Sequence, residues 1–554
     1  VVAETRKTFF HVATGMTHNL AGGKANTKEK YADNTVDADL RQNTEFVIDK
    51  FGAVLSSENH PKDKLLSNCL ARLQSARSTG FDKLLEAHKN NWASKWEMCD
   101  ITIDGDVAAQ QGIRFNIFQM LQTYTGEDER LNIGPKGFTG EKYGGSTYWD
   151  TEAYCLPFYL GTSDPKVARN LLIYRYKHLP KAIENAQKLG FTGGAAFYPF
   201  VTMNGEECHN EWEITFEEIH RTSAMVYAMR DYIDYTGDEA YLGEFGLEVL
   251  IGISRFWAQR VNWSADKKKY VILGVTGPNE YENNVNNNWY TNTLGAWTLE
   301  FTLAAIEKVK NQSASRYAEI VKKTSFDEGK EAFAWKEIIA NMYYPFDEKR
   351  GVILQQDGFL DKPILTVNDL RPEDRPINQK WSWDRILRSC FIKQADVLQG
   401  IYLFEDRFDK ATIKKNFDFY EPMTVHESSL SPCVHAILAS VIGYKEKAYE
   451  MYLRTARLDL DDYNNDTEDG CHITSMAGTW MSVVKGFGGM RVKNGTLHFT
   501  PFIPDQWTSY SFRIEFRDRI IKVAVAKDQV TTVLEDGEPI DVFINNSKKT
   551  VAKN

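Results

Sequence analysis

The sequence predicts a mainly α-helical protein with a β-rich segment at each end. Three observations support this prediction. Apolar residues recur at three- and four-residue intervals in successive segments between about residues 110 and 485, short β-rich runs occupy the first part of the chain, and the apolar period changes to two after residue 489. At about 150 residues per domain, 554 residues allow three or four folding units.

The N-terminal residues 1–62 carry two β-rich runs, at 7–12 and 45–55, between polar stretches. Two or three strands cannot bury both faces of a sheet, so we expect residues 1–62 to be part of a β-sandwich whose other strands precede Val1. From residue 63 the apolar pattern becomes helical, and residues 63–105 are predicted to form a helical linker.

Residues 106–486 are predicted to form one helical domain. Ser163, Asp164 and Pro165 form a helix start, and that helix is expected to end at Gly190. Further helices are expected near 217–236, 245–257, 291–310, 385–404, 432–441 and 474–485. The pattern fits a ring of paired helices, although periodicity alone does not separate a closed ring from an open solenoid.

Residues 487–554 are predicted to form a small antiparallel β domain. Phe512, Ile514 and Phe516 alternate with charged residues, as in a strand with one buried face. Asn494-Gly495 between two short β-rich runs indicates a tight hairpin.

Composition excludes several classes of function. The 66 Lys and Arg residues against 76 Asp and Glu residues give a net charge of −10, which disfavours nucleic acid and anionic membrane surfaces as partners. No apolar run is long enough for a membrane span. The seven cysteines show no C-x-x-C spacing, so we expect no structural zinc site, no disulfide framework and a reducing, cytoplasmic compartment. The first residues do not resemble a secretory signal, and we expect Val1 to mark a cut in a longer chain.

Two aromatic and polar loops are candidate substrate-binding segments. Residues 141–152 combine glycines with Trp149 and Asp150, a stacking surface beside a strong acceptor. The alternative is a glycine-rich turn with Asp150 as a helix N-cap. Residues 204–213 hold four carboxylates and one Trp, and the alternative for this loop is an exposed acidic turn.

Two further regions are candidates for the chemistry. Residues 274–284 present Glu280 between Asn and Tyr, with a solvated loop carboxylate as the alternative. Lys393 and Gln394 on a predicted helix, Ser428-Ser429 before a second helix, and His472 before a third could together hold an oxyanion. For the serines, plain helix N-capping is the alternative. No phosphate loop, dinucleotide fingerprint, H-E-x-x-H helix or G-x-S-x-G elbow occurs, so we expect no cofactor and no metal.

Four motifs, G-V-T-G-P-N-E-Y at 274–281, Y-W-D-T-E at 148–152, K-Q-A-D-V at 393–397 and H-E-S-S-L-S-P at 426–432, resemble those of glycoside hydrolase family 65 in the family's order. The resemblance implies an N-terminal β-sandwich, a helical linker, an (α/α)6 barrel and a C-terminal β domain. It also implies inverting phosphorolysis of an α-glucosidic disaccharide, with inorganic phosphate as co-substrate. A homodimer is expected.

The resemblance assigns roles residue by residue. Glu280 would be the general acid, and phosphate would be bound by Ser428, Ser429, Lys393 and His472. Residues 204–221 resemble the acceptor-side loop of members acting on maltose rather than trehalose or kojibiose. The sugar would be bound by Trp149, Asp150, Gln394, His209, Trp212 and Glu213, and also by Lys393.

The roles agree with the chemistry. An inverting hydrolase needs a second carboxylate as base, whereas a phosphorylase supplies an anionic nucleophile and needs donors for it. Three alternatives remain: phosphorylase action on kojibiose, trehalose or nigerose, an acid-trehalase-like hydrolase with Glu427 as base, or a carbohydrate-binding protein without catalysis.

Overall fold

The computed structural model describes residues 1–20, 23–28, 31–209 and 213–553. The chain divides into two compact units, Val1–Glu97 and Met98–Asn554. Among the described residues, no helix combines the length and the hydropathy that crossing a membrane requires.

The first unit contains an antiparallel sheet of strand order β1-β2-β5, a separate hairpin of β3 and β4, and two helices. One face of the sheet packs on the first helix, where Phe51 and Ala53 meet Leu65, Cys69 and Leu73. The predicted run 45–55 is a strand only from Lys50 onwards. The elements are β1 Val2–Glu4, β2 His11–His18, β3 Lys24–Lys28, β4 Tyr31–Thr35, β5 Lys50–Ser56, α1 Leu65–Thr79 and α2 Phe81–Cys99.

The second unit is built mainly from helices. They are α3 Val107–Thr123, α4 Leu156–Thr162, α5 Pro165–Lys177, α6 Leu179–Lys188, α7 Ile214–Glu217, α8 Arg221–Thr236, α9 Leu247–Arg260, α10 Trp289–Gln312, α11 Ala314–Thr324, α12 Glu328–Asn341, α13 Ile377–Lys380, α14 Trp383–Leu387, α15 Val397–Leu403, α16 Lys410–Tyr420, α17 Ser431–Ile442, α18 Lys445–Ala456 and α19 Ile473–Met481. Thr151–Cys155, Leu242–Gly246 and Ser482–Phe487 are π-helical. Single 3₁₀ turns lie at Lys62–Lys64, Lys142–Gly145, Phe359–Asp361, Val367–Asp369, Pro372–Asp374, Glu405–Arg407, Glu421–Met423 and Thr467–Asp469.

Six helices form a closed inner ring. Each packs on the next in the order α4, α8, α10, α15, α17 and α19, and α19 packs back on α4. A second layer of α3, α5, α9, α12, α16 and α18 packs on the outside of this ring. The ring is therefore a toroid of paired helices, and the contact between α19 and α4 excludes the open solenoid.

Local sequence explains two helix boundaries. Asp164 caps α5 by accepting a hydrogen bond from the Lys166 N–H at 2.8 Å, as predicted. The expected single helix from 165 to 189 is instead two helices interrupted at His178, because Pro180 has no N–H for the continuing ladder. The helix predicted near 245–257 depends on Phe245, Val249, Ile253 and Trp257 at four-residue intervals. The last three are fully buried on α9, whereas Phe245 is half-buried in the π-helical turn before it.

The C-terminal part folds into two four-stranded sheets. Their strand orders are β11-β12-β16-β17 and β15-β14-β13-β6. Two separate hairpins, β7 with β8 and β9 with β10, lie between helices of the central part of the chain. The strands are β6 Thr102–Asp104, β7 Asn262–Ser264, β8 Lys269–Val271, β9 Phe346–Asp347, β10 Val352–Ile353, β11 Arg491–Lys493, β12 Thr496–Phe499, β13 Ser509–Glu515, β14 Ile520–Ala526, β15 Gln529–Asp536, β16 Ile540–Ile544 and β17 Ser547–Val551.

Two features of these sheets differ from the prediction. Strand β12 pairs with β16 in parallel, so this domain is not wholly antiparallel. The chain passes through β13 to β15 before returning, which lets β16 run in the direction of β12. Thr102–Asp104, within the predicted helical linker, is a strand on the edge of β13. The Asn494-Gly495 hairpin is confirmed, with both residues at positive φ.

Candidate active site

The candidate residues lie in the segments that lead into the inner helices. Asp150 precedes α4, Lys393 precedes α15, and His472 precedes α19. Hydrogen bonds join these segments, including Thr474 to Asp150 and Glu427 to Lys393. Because helix N-termini carry unpaired N–H groups and a partial positive charge, this end of the ring favours an anion.

Glu280 and Lys393 form the central pair. The Lys393 Nζ lies 2.6 Å from the Glu280 Oε2, and both side chains are about one-fifth exposed, at 22% and 21%. Burial opposes the charge on Lys393, but the charge and hydrogen bond of Glu280 outweigh burial and raise the pKa of Lys393. Lys393 is therefore a cation beside the predicted acid.

A buried hydrogen-bonded frame holds this pair. The Lys393 N–H donates to Asn279 Oδ1 at 2.9 Å, and the Asn279 N–H donates to Asp396 Oδ2 at 3.2 Å. Burial raises the pKa of Asp396 to about 7. A Cβ on Gly277 would lie 2.2 Å from Asp396 Oδ2, so only glycine fits in this loop. The loop bearing Glu280 is thus fixed to the segment bearing Lys393.

Lys393 and Gln394 are not helical. They lie in the irregular segment between α14 and α15, so the predicted helix at 385–404 is wrong for residues 388–396. Pairing with the neighbouring loop replaces helical hydrogen bonds here, because Ile392 bridges to Thr424. Gln394 is buried beside Lys393, with only 2% exposure.

Glu427 is fully engaged by hydrogen bonds. Its carboxylate accepts from the Tyr281 hydroxyl at 2.5 Å and from the backbone N–H groups of Ile377 and Asn378 at 2.6 and 3.1 Å. Both oxygens are therefore used to join three segments. A carboxylate held in this way is poorly placed to activate a water molecule.

Ser428 and Ser429 are half-buried next to Glu427. Ser428 Oγ accepts from the Leu430 N–H at 3.2 Å, whereas α17 begins at Ser431 and has Leu430 at its N-cap position without a side-chain cap. Neither serine is therefore the N-cap of α17.

His472 sits between two carboxylates. Its Nδ1 lies 2.6 Å from Asp459 and its Nε2 lies 3.2 Å from Asp466, and Lys136 Nζ lies 3.1 Å from the same Nε2. Burial opposes the imidazolium, but the two carboxylates prevail and raise the pKa of His472. Among the described residues, no hydrogen bond or ion pair joins His472 to Lys393 or to the two serines.

Trp149 and Asp150 lie in the segment that leads into α4. Trp149 is 4% exposed and its ring meets that of His220 edge-to-face at 4.8 Å. Asp150 accepts a hydrogen bond from the Thr474 hydroxyl at 2.5 Å and makes no side-chain cap. Burial, reinforced by the charge of Glu280, raises the pKa of Asp150 to about 6.

The acceptor-loop residues are only partly described. His209 and Glu213 are exposed, and Trp212 lies outside the described residues together with 210 and 211. Glu207 holds this loop to the fold, because its carboxylate accepts from the Phe200 and Val201 N–H groups at 2.5 and 3.1 Å.

Glu218 and His220, which were not among the predicted site residues, lie just before α8. Glu218 is buried, its Oε1 lies 3.2 Å from His220 Nε2, and its Oε2 has no hydrogen-bond partner among the described residues. Burial, and then the charge of Glu280, raise the pKa of Glu218 well above its usual range. Burial also holds the pKa of His220 far below its usual range. Their position just before an inner helix was the signal in the sequence.

One group in the described part of the chain has metal-ligand geometry. Ligand atoms of Glu421, His426 and His435 lie within 4.8 Å of one another. The Lys447 Nζ lies 3.1 Å from Glu421 and already supplies the positive charge that a metal ion would bring.

Comparison with known proteins decides the family. The model for the glycosyl hydrolase family 65 central catalytic domain matches residues 114–481, and those for the N-terminal and C-terminal domains of that family match residues 1–95 and 490–551. The chain belongs to glycosyl hydrolase family 65. The resemblance drawn from the four motifs is therefore confirmed.

Several family 65 relatives are similar over most of the chain. The chain is 54% identical over 94% of its length to "Maltose phosphorylase" of Bacillus subtilis (strain 168), covering 67% of that protein. It is 38% identical over 94% of its length to "Alpha,alpha-trehalose phosphorylase" of Thermoanaerobacter brockii, covering 66% of that protein. The chain thus spans about two thirds of the length of these relatives.

A solved family 65 structure supports the fold. The structure titled "Putative kojibiose phosphorylase from human microbiome" superimposes with a TM-score of 0.91 at 33% identity, over 100% of this chain and 75% of that one. The predicted class, a helical barrel domain with β domains before and after it, is confirmed.

Proposed function

We propose that this protein catalyses the phosphorolysis of maltose with inversion, giving β-glucose 1-phosphate and glucose. The observation that carries the proposal is the pairing of Glu280 with Lys393, a proton-donor candidate beside a cation, at the N-terminal end of the inner helices. The 54% identity to a maltose phosphorylase supports the choice of maltose.

In the proposed reaction, Glu280 protonates the glycosidic oxygen as the bond to the anomeric carbon breaks and its electron pair passes to that oxygen. A phosphate oxygen attacks from the opposite face and forms the new carbon–oxygen bond, so the configuration inverts. The proton of hydrogen phosphate then restores Glu280, and no proton is gained or lost overall.

The surroundings of Glu280 suit this role. A phosphate dianion would compete with Glu280 for Lys393. Lys393 and the half-buried Ser428 and Ser429 are the donors we assign to phosphate. His472, whose ring nitrogens face Asp459 and Asp466, would border the phosphate site and attract phosphate by its positive charge. Trp149, Asp150 and Gln394 would bind the glucosyl unit, and His209, Trp212 and Glu213 the acceptor glucose.

Hydrolysis is the rival activity. It needs a free carboxylate to activate water, and the residue first considered for that role, Glu427, has both oxygens engaged. A carbohydrate-binding protein without catalysis is disfavoured, because a binding site needs no proton donor such as Glu280.

The test is a panel of maltose, trehalose, kojibiose and nigerose, each with and without phosphate, with the product anomer resolved by NMR. We expect β-glucose 1-phosphate from maltose and only in the presence of phosphate. Glucose release at the same rate without phosphate would overturn the proposal. A faster reaction of another disaccharide would make that disaccharide, not maltose, the assigned substrate.

The compartment and the oligomeric state of the enzyme are also proposed here. None of the seven cysteines forms a disulfide, which supports a reducing, cytoplasmic compartment. We propose a homodimer as the working assembly, to be measured by light scattering at several protein concentrations.

A further inference from the structure

A cavity of about 580 Å³ lies at the end of the ring opposite Glu280. It is lined by late residues of α8, α15 and α17, by the π-helical turn after α19, and by the hairpin of β11 and β12. These inner helices begin at the candidate active site, so their C-termini face this cavity. The volume is within the range of about 300–1,000 Å³ typical of small-molecule sites.

Asp231 and Lys485 face each other across part of this cavity without a close contact. The Lys485 Nζ lies 3.8 Å from Asp231 Oδ2 and 3.4 Å from the Tyr402 hydroxyl. The side chain of Lys485 is only 17% exposed and that of Asp231 only 24%. Among the described residues, no hydrogen bond reaches the Asp231 carboxylate. A half-buried acceptor and a half-buried donor are thus both under-used.

Two ion pairs in the cavity wall are already closed. Arg491 lies 2.7 Å from Glu405, and Arg230 lies 2.9 Å from Asp234. Asp406, Lys410 and Lys493 also line the cavity but are exposed to solvent. The half-buried polar groups left for a ligand are therefore Asp231 and Lys485.

We propose that this cavity is a second binding site, for a neutral polyhydroxylated ligand of mono- or disaccharide size. A vicinal pair of hydroxyls can donate to Asp231 and accept from Lys485 at once, which neither a simple anion nor a simple cation can do. The phenol rings of Tyr227 and Tyr402 supply apolar faces for the C–H groups of such a ring.

The charges of the lining nearly balance. Four carboxylates and five cations line the cavity: Asp231, Asp234, Glu405, Asp406, Arg230, Lys410, Lys485, Arg491 and Lys493. Because both signs are present and the helix C-termini add partial negative charge, the lining favours a neutral ligand over a simple anion or a metal cation. The site does not depend on the proposed function, because no residue of the candidate active site lines the cavity.

The test uses the whole chain and D-glucose and maltose as probes. Crystals soaked with each sugar are expected to show sugar density between Asp231 and Lys485 in addition to any in the candidate active site. Calorimetric titration with the same sugars is expected to give binding curves that fit two classes of binding site. Phosphate in the cavity, or sugar density confined to the Glu280 end, would overturn the proposal.

Two variants and a control sharpen the test. Asp231→Asn and Lys485→Met should each weaken the second class of site at least about tenfold while leaving the turnover of maltose unchanged. Glu239→Gln, which breaks an exposed ion pair with Lys308, is the matched control and should change neither. If the variants do not fold, the soaked wild-type crystal decides alone. Unchanged binding in folded variants would contradict the assignment.

Discussion

The Tyr281 hydroxyl donates a hydrogen bond of 2.5 Å to Glu427, which ties the residue after the predicted acid to the residue before Ser428. The two partners are 146 positions apart in the chain. One bond therefore sets the distance between the proton donor and the proposed phosphate donors, and it occupies the carboxylate that a hydrolase would need.

Glu280→Gln is expected to lower the turnover of maltose by about 10²–10⁴-fold, because the amide cannot protonate the leaving oxygen. The amide also loses the charge that pairs with Lys393 but keeps the size of the side chain, so the melting temperature should change little. Initial rates of phosphorolysis check this. Glu300→Gln, on an exposed ion pair with Arg407, is the control, and near-normal turnover in Glu280→Gln would refute the role.

Glu427→Gln is expected to act mainly on stability. The amide presents its own N–H₂ to one of the three donors, which costs about 1–3 kcal/mol of unfolding free energy. Tyr281→Phe should cost about 0.5–1.5 kcal/mol by losing a single bond. Denaturant unfolding measures both, with the exposed Glu446→Gln as control. A Glu427→Gln protein of native stability without activity would show a catalytic role instead.

Asp396 should make stability depend on pH. Burial raises its pKa to about 7, so the folded protein keeps a proton that the unfolded chain releases from about pH 4. Its contribution is therefore greatest below about pH 4 and declines as the pH rises towards 7, by up to about 4 kcal/mol.

The Asp396→Asn variant tests this, because it should lose that part of the decline. Melting temperatures of the variant and the wild type are compared between pH 4.5 and 7.5, and the difference between them should change in favour of the variant as the pH rises. Asp528→Asn, in an exposed turn, should follow the wild type. A constant difference across this range would contradict the buried proton.

His472 should govern the use of phosphate. Asp459 and Asp466 raise its pKa, so the imidazolium persists to higher pH than usual and is lost as the pH rises through that pKa. Asp459→Asn should shift the alkaline limb of kcat/KM for phosphate to lower pH. His472→Asn should raise KM for phosphate about tenfold or more while KM for maltose changes less.

The exposed His88→Asn in α2 is the control for these variants. Equal losses in the use of maltose and of phosphate would show that His472 only supports the fold. An alkaline limb unmoved by Asp459→Asn would separate His472 from phosphate binding altogether.

Some features could be read from the sequence because they depend on neighbouring residues. The buried face of α9, the cap at Asp164 and the hairpin at Asn494-Gly495 follow from local spacing and backbone preference, and four short motifs identified the family. The same local reasoning failed where distant segments compete. Residues 388–396 pair with other loops instead of continuing a helix. The break at His178 has a local cause, Pro180, that the helical pattern of apolar residues does not reveal.

The sequence by itself determined which residue types stand in the loops before the inner helices, and therefore the family and the candidate acid. Only the tertiary structure decided that the helices close into a ring, that Glu427 is engaged, and that Glu218 lies buried near Glu280. The physical reason is that each of these depends on contacts between residues far apart in the chain. Spacing along the chain records helix faces and caps, whereas burial, charge coupling and hydrogen-bond partners across the ring exist only once the chain has folded.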